Sequence, residues 1–340
     1  MKLVPVALLL MGCGGEVAER LPAPPEPHFD FGCPNQHELA CTGLYGEAGE
    51  HWYSKRLGAG VEPFEPRAAL WSDHMDKQRF VWLPPGTVID TTDPDAWTFP
   101  PGTKFWKEFS YQGKRIETRY LERGSYLWYA ATFRWSADES SATLLTGGER
   151  NVAGTFEDSY EVPATRDCER CHGGAKDDIL GFNALLLPDE SAQGLTVEKL
   201  RATGKLSTEL PALSMPGTPV ERAALLYLHV NCGLSCHNPN FDAEAWWTGF
   251  YLRLEVGKLA TVAETAAYRT GVGKESYIVD PARSDRYLML IAPGEPDQSA
   301  VMYRDGQRDS AMQMPPLGTH TVDEAGLAAV KAWIQSLAAP

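Results

Sequence analysis

Two short segments of the chain combine a pair of cysteines with a histidine directly after the second cysteine. In the first segment, Cys168 and Cys171 are separated by two residues and His172 follows. Two thiols at this spacing can reach the two vinyl groups on one edge of a porphyrin, and the adjacent imidazole then falls beneath the iron. The pattern C-x-x-C-H is the signature of c-type heme attachment. The first segment therefore predicts a covalently bound heme c with His172 as its proximal ligand.

The second segment departs from this pattern by one residue. Cys232 and Cys236 are separated by three residues, and His237 follows. A longer loop can still span the vinyl groups if it bulges, and Gly233 would supply the backbone freedom for a bulge. We therefore expect a second heme c with His237 as its proximal ligand. The alternative is a strained disulfide between Cys232 and Cys236, with His237 at the surface.

Two other chemistries use closely spaced cysteines. A zinc site needs further cysteine or histidine ligands nearby, and between Cys41 and Cys168 the chain has only His51 and His74. A thioredoxin-like dithiol would leave His172 without a role. Heme attachment is therefore the favoured interpretation of the first segment, with zinc and dithiol chemistry as alternatives.

Each iron needs a second axial ligand if it is to carry electrons without binding substrate. A methionine thioether fills that position and raises the reduction potential. Met314 and Met215 both precede a proline, which holds the chain extended so that the side chain can lie over a flat ring. Met314, just before the last predicted helix, is expected on the second iron, and Met215 on the first. The competing ligands for the first iron are Met302, Met312, His74, Met75 and His229.

The first residues predict export. Lys2 precedes an apolar stretch that ends in Leu10-Met11-Gly12-Cys13, as in a signal peptide. This ending resembles the lipobox of bacterial lipoproteins, in which the cysteine is acylated and becomes the first mature residue. We expect the protein in the bacterial cell envelope, anchored to a membrane by lipid on Cys13 and facing the periplasm or the cell surface. The alternative is an ordinary secretory leader in which Cys13 has no role.

The cysteine count supports these assignments. An exported chain meets an oxidising environment, where idle thiols are a liability. Of the 7 cysteines, only Cys33 and Cys41 have no role in lipidation or heme attachment. We expect them to form a disulfide that closes a small loop near the start of the folded part.

The formal net charge of the chain is −14. Nucleic acid is excluded as a partner because phosphate binding requires clustered lysine and arginine. A negative surface would instead steer basic redox partner proteins of the envelope. No Ser-His-Asp pattern and no phosphate-binding loop occurs in the sequence, so hydrolase and nucleotide-binding functions have no support.

Composition changes along the chain suggest five regions. The predicted tether is rich in proline and glutamate and cannot build a core. The regions are 1–12, a leader; 13–30, the tether; 31–165, a β-rich domain; 166–218, the first heme segment; and 219–340, the second heme domain.

The predicted fold class is α+β. Runs rich in aromatic and β-branched residues, broken by Pro-Gly and Gly turns, predict an antiparallel sandwich-like β domain. The runs span 79–83, 104–109, 116–121 and 126–133. After it we expect mainly helical, cytochrome c-like heme domains with inserted strands. Helices are predicted over 196–204, 219–230 and 323–337, and strand-like pieces over 248–256 and 287–291.

Five segments outside the cysteine motifs carry a resemblance to a known family: 71–86, 99–103, 117–119, 162–163 and 313–316. With them, most of the chain after the tether resembles a family of diheme c-type cytochromes of bacterial envelopes, and myxobacterial lipoproteins are especially similar. This resemblance implies a β-rich N-terminal domain, two heme-binding segments and electron transfer. The wider family has two residues between the cysteines of its second site, where this chain has three.

Three functions are compatible with these patterns. The leading one is a diheme electron carrier, and the second is a peroxidase-like diheme enzyme whose first iron keeps an open position. The third is a ligand-binding β module, for example for sugars, with appended hemes. In that case exposed tryptophans would form a stacking surface, although core packing is the more common use of such residues. The tryptophans concerned are Trp82, Trp97, Trp106, Trp128 and Trp135.

Overall fold

The computed structural model describes residues 37–46, 56–175, 177, 179–188, 194–211 and 213–338. The predicted leader, the lipidated Cys13, the tether and Cys33 lie outside these ranges. Cys41 is disulfide-bonded. Within the described ranges no helix has both the length and the apolar character needed to cross a bilayer.

A six-stranded antiparallel sheet forms the first part of the fold, and neighbouring strands follow one another along the chain. Its alternating patterns place one side chain in two on each face. The strands are β1 (Glu62–Pro63), β2 (Asp76–Trp82), β3 (Lys104–Tyr111), β4 (Lys114–Arg123), β5 (Trp128–Trp135) and β6 (Ala142–Leu144).

Both faces of this sheet are covered. On one face, Trp106, Tyr120 and Phe133 form a buried cluster with Leu39 and Leu44 from the N-terminal segment. On the other face, the loop between β2 and β3 and the described residues between 179 and 206 supply a second aromatic cluster. The buried members of that cluster include Phe64, Val81, Trp97, Phe99, Phe105, Phe182 and Leu187.

A region of several helices and one strand hairpin follows the sheet, which confirms the predicted α+β class. The helices are α1 (Cys168–His172), α2 (Val197–Ala202), α3 (Pro219–Leu228), α4 (Ala266–Gly271), α5 (Ala300–Asp305) and α6 (Glu324–Ser336). The hairpin consists of β7 (Glu275–Asp280) and β8 (Arg283–Met289).

Helices α3 and α6 form the core of this region. Thr218 caps α3 with a reciprocal hydrogen-bond pair to Glu221, which satisfies two of the free N–H groups at the helix start. The apolar side of α3 packs with Val330, Trp333 and Ile334 of α6 in one buried cluster. The helices meet most closely at Gly326, where a β-carbon would lie 1.9 Å from the ring of Tyr227.

The segment predicted as a strand over 248–256 forms no ladder. Its backbone N–H groups instead bond to partners outside any sheet: Leu252 to the carbonyl of His237 at 2.8 Å, Leu254 to Nδ1 of His229 at 3.0 Å, and Val256 to the carboxylate of Asp95. The apolar alternation of this segment therefore serves packing around the second cysteine segment.

Three of the tryptophans considered for a stacking surface lie in the core. Trp97, Trp106 and Trp135 are each 2% exposed, and the indole N–H of Trp135 donates to Oγ1 of Thr118 at 3.0 Å. Trp82 and Trp128 are half-buried. Because a sugar-stacking platform needs exposed ring faces, these residues do not provide one.

A loop before β2 connects the sheet to the C-terminal region. The carboxylate of Asp73 is buried and accepts hydrogen bonds from the backbone N–H groups of His320 (2.8 Å) and Thr321 (3.0 Å), and from the Thr321 hydroxyl (2.9 Å). The indole of Trp71 donates to the Thr321 carbonyl at 2.9 Å. The backbone N–H of Trp71 donates to Oδ1 of Asn231 at 2.7 Å. Trp71 and Asp73 thus hold the residue just before the second cysteine segment and the chain that leads into α6.

Candidate functional site

One cavity brings together four of the residues predicted to bind the second heme. Cys232, Cys236, His237 and Met314 all line it. Its empty volume, including the solvent-filled mouth, is about 1030 Å³. The methionine is far from the cysteines in sequence, and only the tertiary fold places these side chains around one space.

A π-helical turn accommodates the extra residue of the second segment. Helix α3 passes directly into this turn, which spans His229–Gly233. Two backbone hydrogen bonds have the i+5 to i spacing of a π-helix. The N–H of Leu234 donates to the His229 carbonyl and the N–H of His237 donates to the Cys232 carbonyl, each at 2.8 Å. Such turns insert one residue into a helix and are common at functional sites. The three-residue spacing between the thiols is therefore built into a regular backbone feature.

Gly233 has a different role from the expected one. It does not have a positive φ, so conformational freedom is not what the position requires. A β-carbon there would lie 2.4 Å from the backbone nitrogen of Arg253 and 2.5 Å from the carbonyl carbon of Leu252. Glycine is needed because the π-helical turn lies directly against the segment that runs along it.

The hydrogen bond of His237 prepares its ring for metal binding. Nδ1 lies 3.0 Å from the carbonyl oxygen of Phe250. A carbonyl can only accept, so Nδ1 carries the proton and Nε2 keeps its lone pair. Burial is the main reason that the pKa of His237 is lowered, which also favours the neutral ring. A half-buried imidazole with this tautomer and orientation is in the form that ligates metals.

The loop that carries Met314 is tied to the end of α5. The backbone N–H of Met314 donates to the carbonyl of Arg304 at 3.0 Å, and its carbonyl accepts from Nη1 of Arg308 at 3.2 Å. The side chain of Gln313 donates to the Thr319 carbonyl at 2.9 Å. The Met314–Pro315 peptide bond is cis. These contacts fix the backbone on both sides of the methionine.

The donor set and lining of the cavity fit a heme c better than the alternatives. All four motif cysteines are free thiols, so the disulfide between Cys232 and Cys236 is not formed. Among the described residues, no three His, Cys, Asp or Glu side chains converge as a metal site would require. At the rim of the cavity the aromatic side chains of Trp247 and Tyr277 are 68% and 89% exposed, where a flat ring would cover them.

The thiols also lack the character of a redox dithiol. Burial is the largest cause of a raised pKa for Cys168 and Cys171, and it raises the pKa of Cys236 to about 12. Exchange-active dithiols need the opposite, a pKa lowered by nearby positive charge or a helix N-terminus. Because burial outweighs the nearby positive charges and keeps these pKa values high, the dithiol alternative is disfavoured.

The first segment lies on the short helix α1, next to the sheet. The charge of Arg119 on β4 acts on the pKa of both Cys168 and Cys171, and that of Lys107 on β3 acts on Cys171. Arg119 is paired with Glu117 through two hydrogen bonds of 2.7 and 3.1 Å. The first pair of thiols therefore faces positively charged residues of the sheet.

The two cysteine segments pack against each other. A β-carbon on Gly174 would lie 1.8 Å from the carbonyl oxygen of Ser235. The buried side-chain amide of Asn238 donates to the carbonyls of Gly174 (3.2 Å) and Gly233 (2.9 Å). At the surface, Arg170 and Glu244 form a two-pronged salt bridge, with Nη2 to Oε2 at 3.1 Å. Groups attached at the two segments would therefore be close neighbours.

The structure does not bring Met215 to the first segment. Met215 packs against the α3–α6 core and lines a separate cavity with residues such as Arg222 and Leu226, none of which belongs to the first segment. Among its competitors, Met302 packs against the same core, Met312 is exposed, and Met75 is buried with Phe109 and Tyr160.

Two histidines considered for the first iron are engaged elsewhere. Nδ1 of His229 accepts from the backbone N–H of Leu254, so its Nε2 carries the proton and cannot ligate a metal. His74 has a ring that contacts Trp71 and Phe156. No candidate from the sequence has a described contact that places it over the first segment.

Several residues of the site could not be found from sequence patterns. Asn238 follows His237 directly, but nothing in its type predicts that it bridges two distant carbonyls. Phe250 acts through its backbone oxygen, which leaves no signal in the sequence. Lys107 interrupts an aromatic run of β3, and a charged residue at such a position is a signal that could have been noticed.

Comparisons with protein-family models, with curated proteins and with solved structures found no match.

Proposed function

We propose that this protein is a diheme c-type cytochrome that transfers electrons in the bacterial cell envelope. The observation that carries the proposal is the single cavity shared by Cys232, Cys236, His237 and Met314. These side chains supply two thiols, one imidazole and one thioether, which are the groups that attach and ligate a heme c. In the proposal the first heme is attached through Cys168 and Cys171, with His172 as its ligand.

The chain's own residues would perform three tasks. His237 is oriented by its hydrogen bond to the Phe250 carbonyl, and burial, which lowers its pKa, keeps the ring neutral. The anchored loop of Met314 presents a thioether, which favours a high potential and leaves no position for substrate. The apolar lining of the cavity excludes water, which limits the change in solvation when the charge of the cofactor changes. The bound heme would supply reversible one-electron chemistry.

The contact between the two cysteine segments supports transfer within the molecule. Gly174 and Ser235 are in direct backbone contact, and Asn238 joins the two segments through its amide. Two cofactors attached to segments this close would exchange electrons without a third carrier. In this proposal electrons enter at one heme and leave at the other, and the acidic chain would favour basic partners.

The decisive experiment is the heme content of the chain expressed with cytochrome maturation factors. A reduced pyridine spectrum should give two hemes per chain, and the polypeptide should stay coloured after acid-acetone extraction. Substitution of both Cys232 and Cys236 by serine should remove one heme. As a matched control, Ser235→Ala changes the same loop without removing a thiol and should keep both hemes. A colourless extracted polypeptide would falsify the proposal.

A second candidate function has one observation in its favour. Met215 lies in a cavity apart from the first segment, so the first iron could keep an open position as in peroxidase-like diheme enzymes. Cyanide distinguishes the two functions, because it binds only an iron with an exchangeable ligand. A spectral shift of half of the heme would support the enzyme, and no shift would support the carrier.

The proposed location depends on Cys13. Acylation of this residue would hold the protein on an envelope membrane, with the proline-rich tether between the lipid and the folded part. Labelling of cells with a radioactive fatty acid tests this: the wild type should incorporate the label, and Cys13→Ala should not. Equal labelling of both would contradict a lipid anchor on Cys13.

A further inference from the structure

Four cations form a strip on one face of the sheet beside the first cysteine segment. In the strand register, Arg79 on β2 lies opposite Lys107 on β3, and Lys107 lies opposite Arg119 on β4. Lys77 is two residues before Arg79 and therefore points to the same face. We call Lys77, Arg79, Lys107 and Arg119 the cationic strip. It separates two aromatic clusters on this face, one containing Phe105 and the other Phe109.

An added anion would stabilise this arrangement. Like charges directly opposite each other on neighbouring strands destabilise a sheet, and Arg79 is buried while Lys77 and Lys107 are partly buried, where a cation needs a partner. Arg119 is paired with Glu117. Within the described part of the chain, no salt bridge joins Lys77, Arg79 or Lys107 to a carboxylate. Lys77 donates to the Leu70 carbonyl, and the more distant charges of Asp323, Glu65 and Glu117 act in turn on Lys77, Arg79 and Lys107 without forming an ion pair with them.

The pKa values of the strip also show that the charged forms of its residues are disfavoured. Burial, followed by the neighbouring charges of Arg79 and Arg119, lowers the pKa of Lys77 to about 7. Burial and the other three members of the strip lower the pKa of Lys107 well below its ordinary range. Burial also lowers the pKa of Arg79. A nearby anion would reverse these shifts, because it favours the charged form of each cation.

The strip starts at the first cysteine segment and leads away from it. The charge of Arg119 acts on both thiols and that of Lys107 acts on Cys171. Lys77 and Arg79 lie on β2, one strand farther from β4 than Lys107. From β4 to β2 the strip crosses two strand spacings, or about 10 Å. A heme attached by its vinyl edge at Cys168 and Cys171 carries its two propionate carboxylates at another edge, away from the thiols.

We propose that Lys77, Arg79 and Lys107 bind the propionate carboxylates of the heme attached at Cys168 and Cys171. This inference rests on the proposed function, since it requires a heme at the first segment. It identifies three residues outside both cysteine segments that neutralise the cofactor and complete the charge balance of the sheet. Hydrogen bonds between such charged partners are about twice as strong as neutral ones.

The test is the reduction potential of each heme in the holoprotein. Removing a cation beside a heme favours its oxidised form, so Lys107→Gln should lower the midpoint potential of one heme. We expect roughly a tenfold change in the reduction equilibrium, which corresponds to about 59 mV for one electron. The potential of the second heme can be followed alone at its methionine–iron band, and it should not change. A titration followed at a wavelength where both hemes absorb should show the lowered potential, which therefore belongs to the first heme.

Lys104→Gln is the matched control. Lys104 lies on the same strand but on the opposite face, where its Nζ is 3.3 Å from the carbonyl of Thr42. Its substitution removes the same charge and should move neither potential. Lys107→Arg should restore the wild-type value because it restores the charge. If Lys107→Gln does not accumulate as folded holoprotein, Lys77→Gln can be used instead, and it should lower the same midpoint potential.

Three outcomes would overturn the inference: an unchanged potential in Lys107→Gln, an equal shift in Lys104→Gln, or a shift confined to the methionine-ligated heme. A diffusible anion is the other source of negative charge. In that case inorganic phosphate at constant ionic strength would shift the wild-type potential in a saturable way, which would also overturn it. The pyridine spectrum of the same samples distinguishes a failure of this inference from a failure of the proposed function. Two hemes per chain with unchanged potentials would contradict the propionate site but leave the diheme cytochrome in place.

Discussion

The side-chain amide of Asn238 donates a hydrogen bond to the carbonyl oxygen of Gly174, at 3.2 Å. Asn238 follows the second cysteine segment and Gly174 follows the first, so this bond joins the two predicted attachment sites. The same amide also donates to the carbonyls of Gly233 and Leu234, at 2.9 and 3.2 Å. One fully buried side chain thus holds the two segments in register.

We expect Asn238→Ala to lower the free energy of unfolding by about 1–3 kcal/mol, because three buried carbonyls lose their donor. The separation between the two midpoint potentials should also decrease as the segments loosen. Chemical denaturation and a potentiometric titration measure these effects. Asn240→Ala is the control, since that amide lies 3.3 Å or more from the same region's carbonyls and is only partly buried. Equal losses in both variants would contradict a special role for Asn238.

Met314→Ala should abolish the weak absorption near the red end of the oxidised spectrum that is diagnostic of sulfur on ferric iron. The potential of the second heme should fall, because a thioether ligand raises it. Met312→Ala alters an exposed methionine of the same loop and should leave the band intact. Persistence of the band in Met314→Ala would move the ligand to another methionine, such as Met215 or Met302.

Asp73→Ala should weaken the ligation by Met314 from a distance. The carboxylate of Asp73 holds His320 and Thr321, which lie between the methionine loop and α6. Its removal leaves two buried N–H groups without an acceptor and should cost about 3 kcal/mol. On heating, the methionine–iron band should disappear at a lower temperature than in the wild type. If the band disappears at the same temperature in Asp73→Ala and in the wild type, the contacts of Asp73 do not position the methionine loop.

His229 should make the protein less stable in acid. Burial, with a further contribution from Arg253, lowers its pKa from 6.5 to about 3. Between these values the unfolded chain binds a proton that the folded chain does not, so stability rises with pH by about 1.4 kcal/mol per unit. His229→Gln keeps an acceptor for the Leu254 N–H and should flatten this slope. Denaturation of the holoprotein across this pH range measures it.

Asp305 should have the opposite effect from His229 on the pH dependence of stability. Burial raises its pKa from 3.8 to about 6, so in that window the folded chain keeps a proton that the unfolded chain has lost. Its contribution to stability therefore falls as pH rises. Asp305→Asn should make the wild-type rise steeper, whereas His229→Gln makes it shallower. Variants that change the slope in the same direction would contradict both assignments.

The antiparallel sheet and the main helices were predictable because each has a local signal. The runs around Lys104–Tyr111 and Lys114–Arg123 alternate between two faces and are separated by Gln112-Gly113, a typical turn. Helix α6 shows one apolar stripe at helical spacing, and its start is marked by Asp323. The hairpin of β7 and β8 is only partly predictable, because its buried side chains are mostly polar and its large apolar ones are exposed. Ser276 and Asp280 are buried, whereas Tyr277 and Tyr287 are exposed.

The types and spacing of the residues at Cys168–His172 and Cys232–His237 determine by themselves which chemistry the chain can support, because thiols and imidazoles close in sequence remain close in any fold. Only the tertiary structure decided which distant groups join them. It placed Met314 in the cavity of the second segment, kept Met215 apart from the first, and aligned Lys77, Arg79 and Lys107 across two strands. Such long-range choices depend on packing, strand register and loop anchoring, and these are properties of the whole chain that a local pattern does not contain.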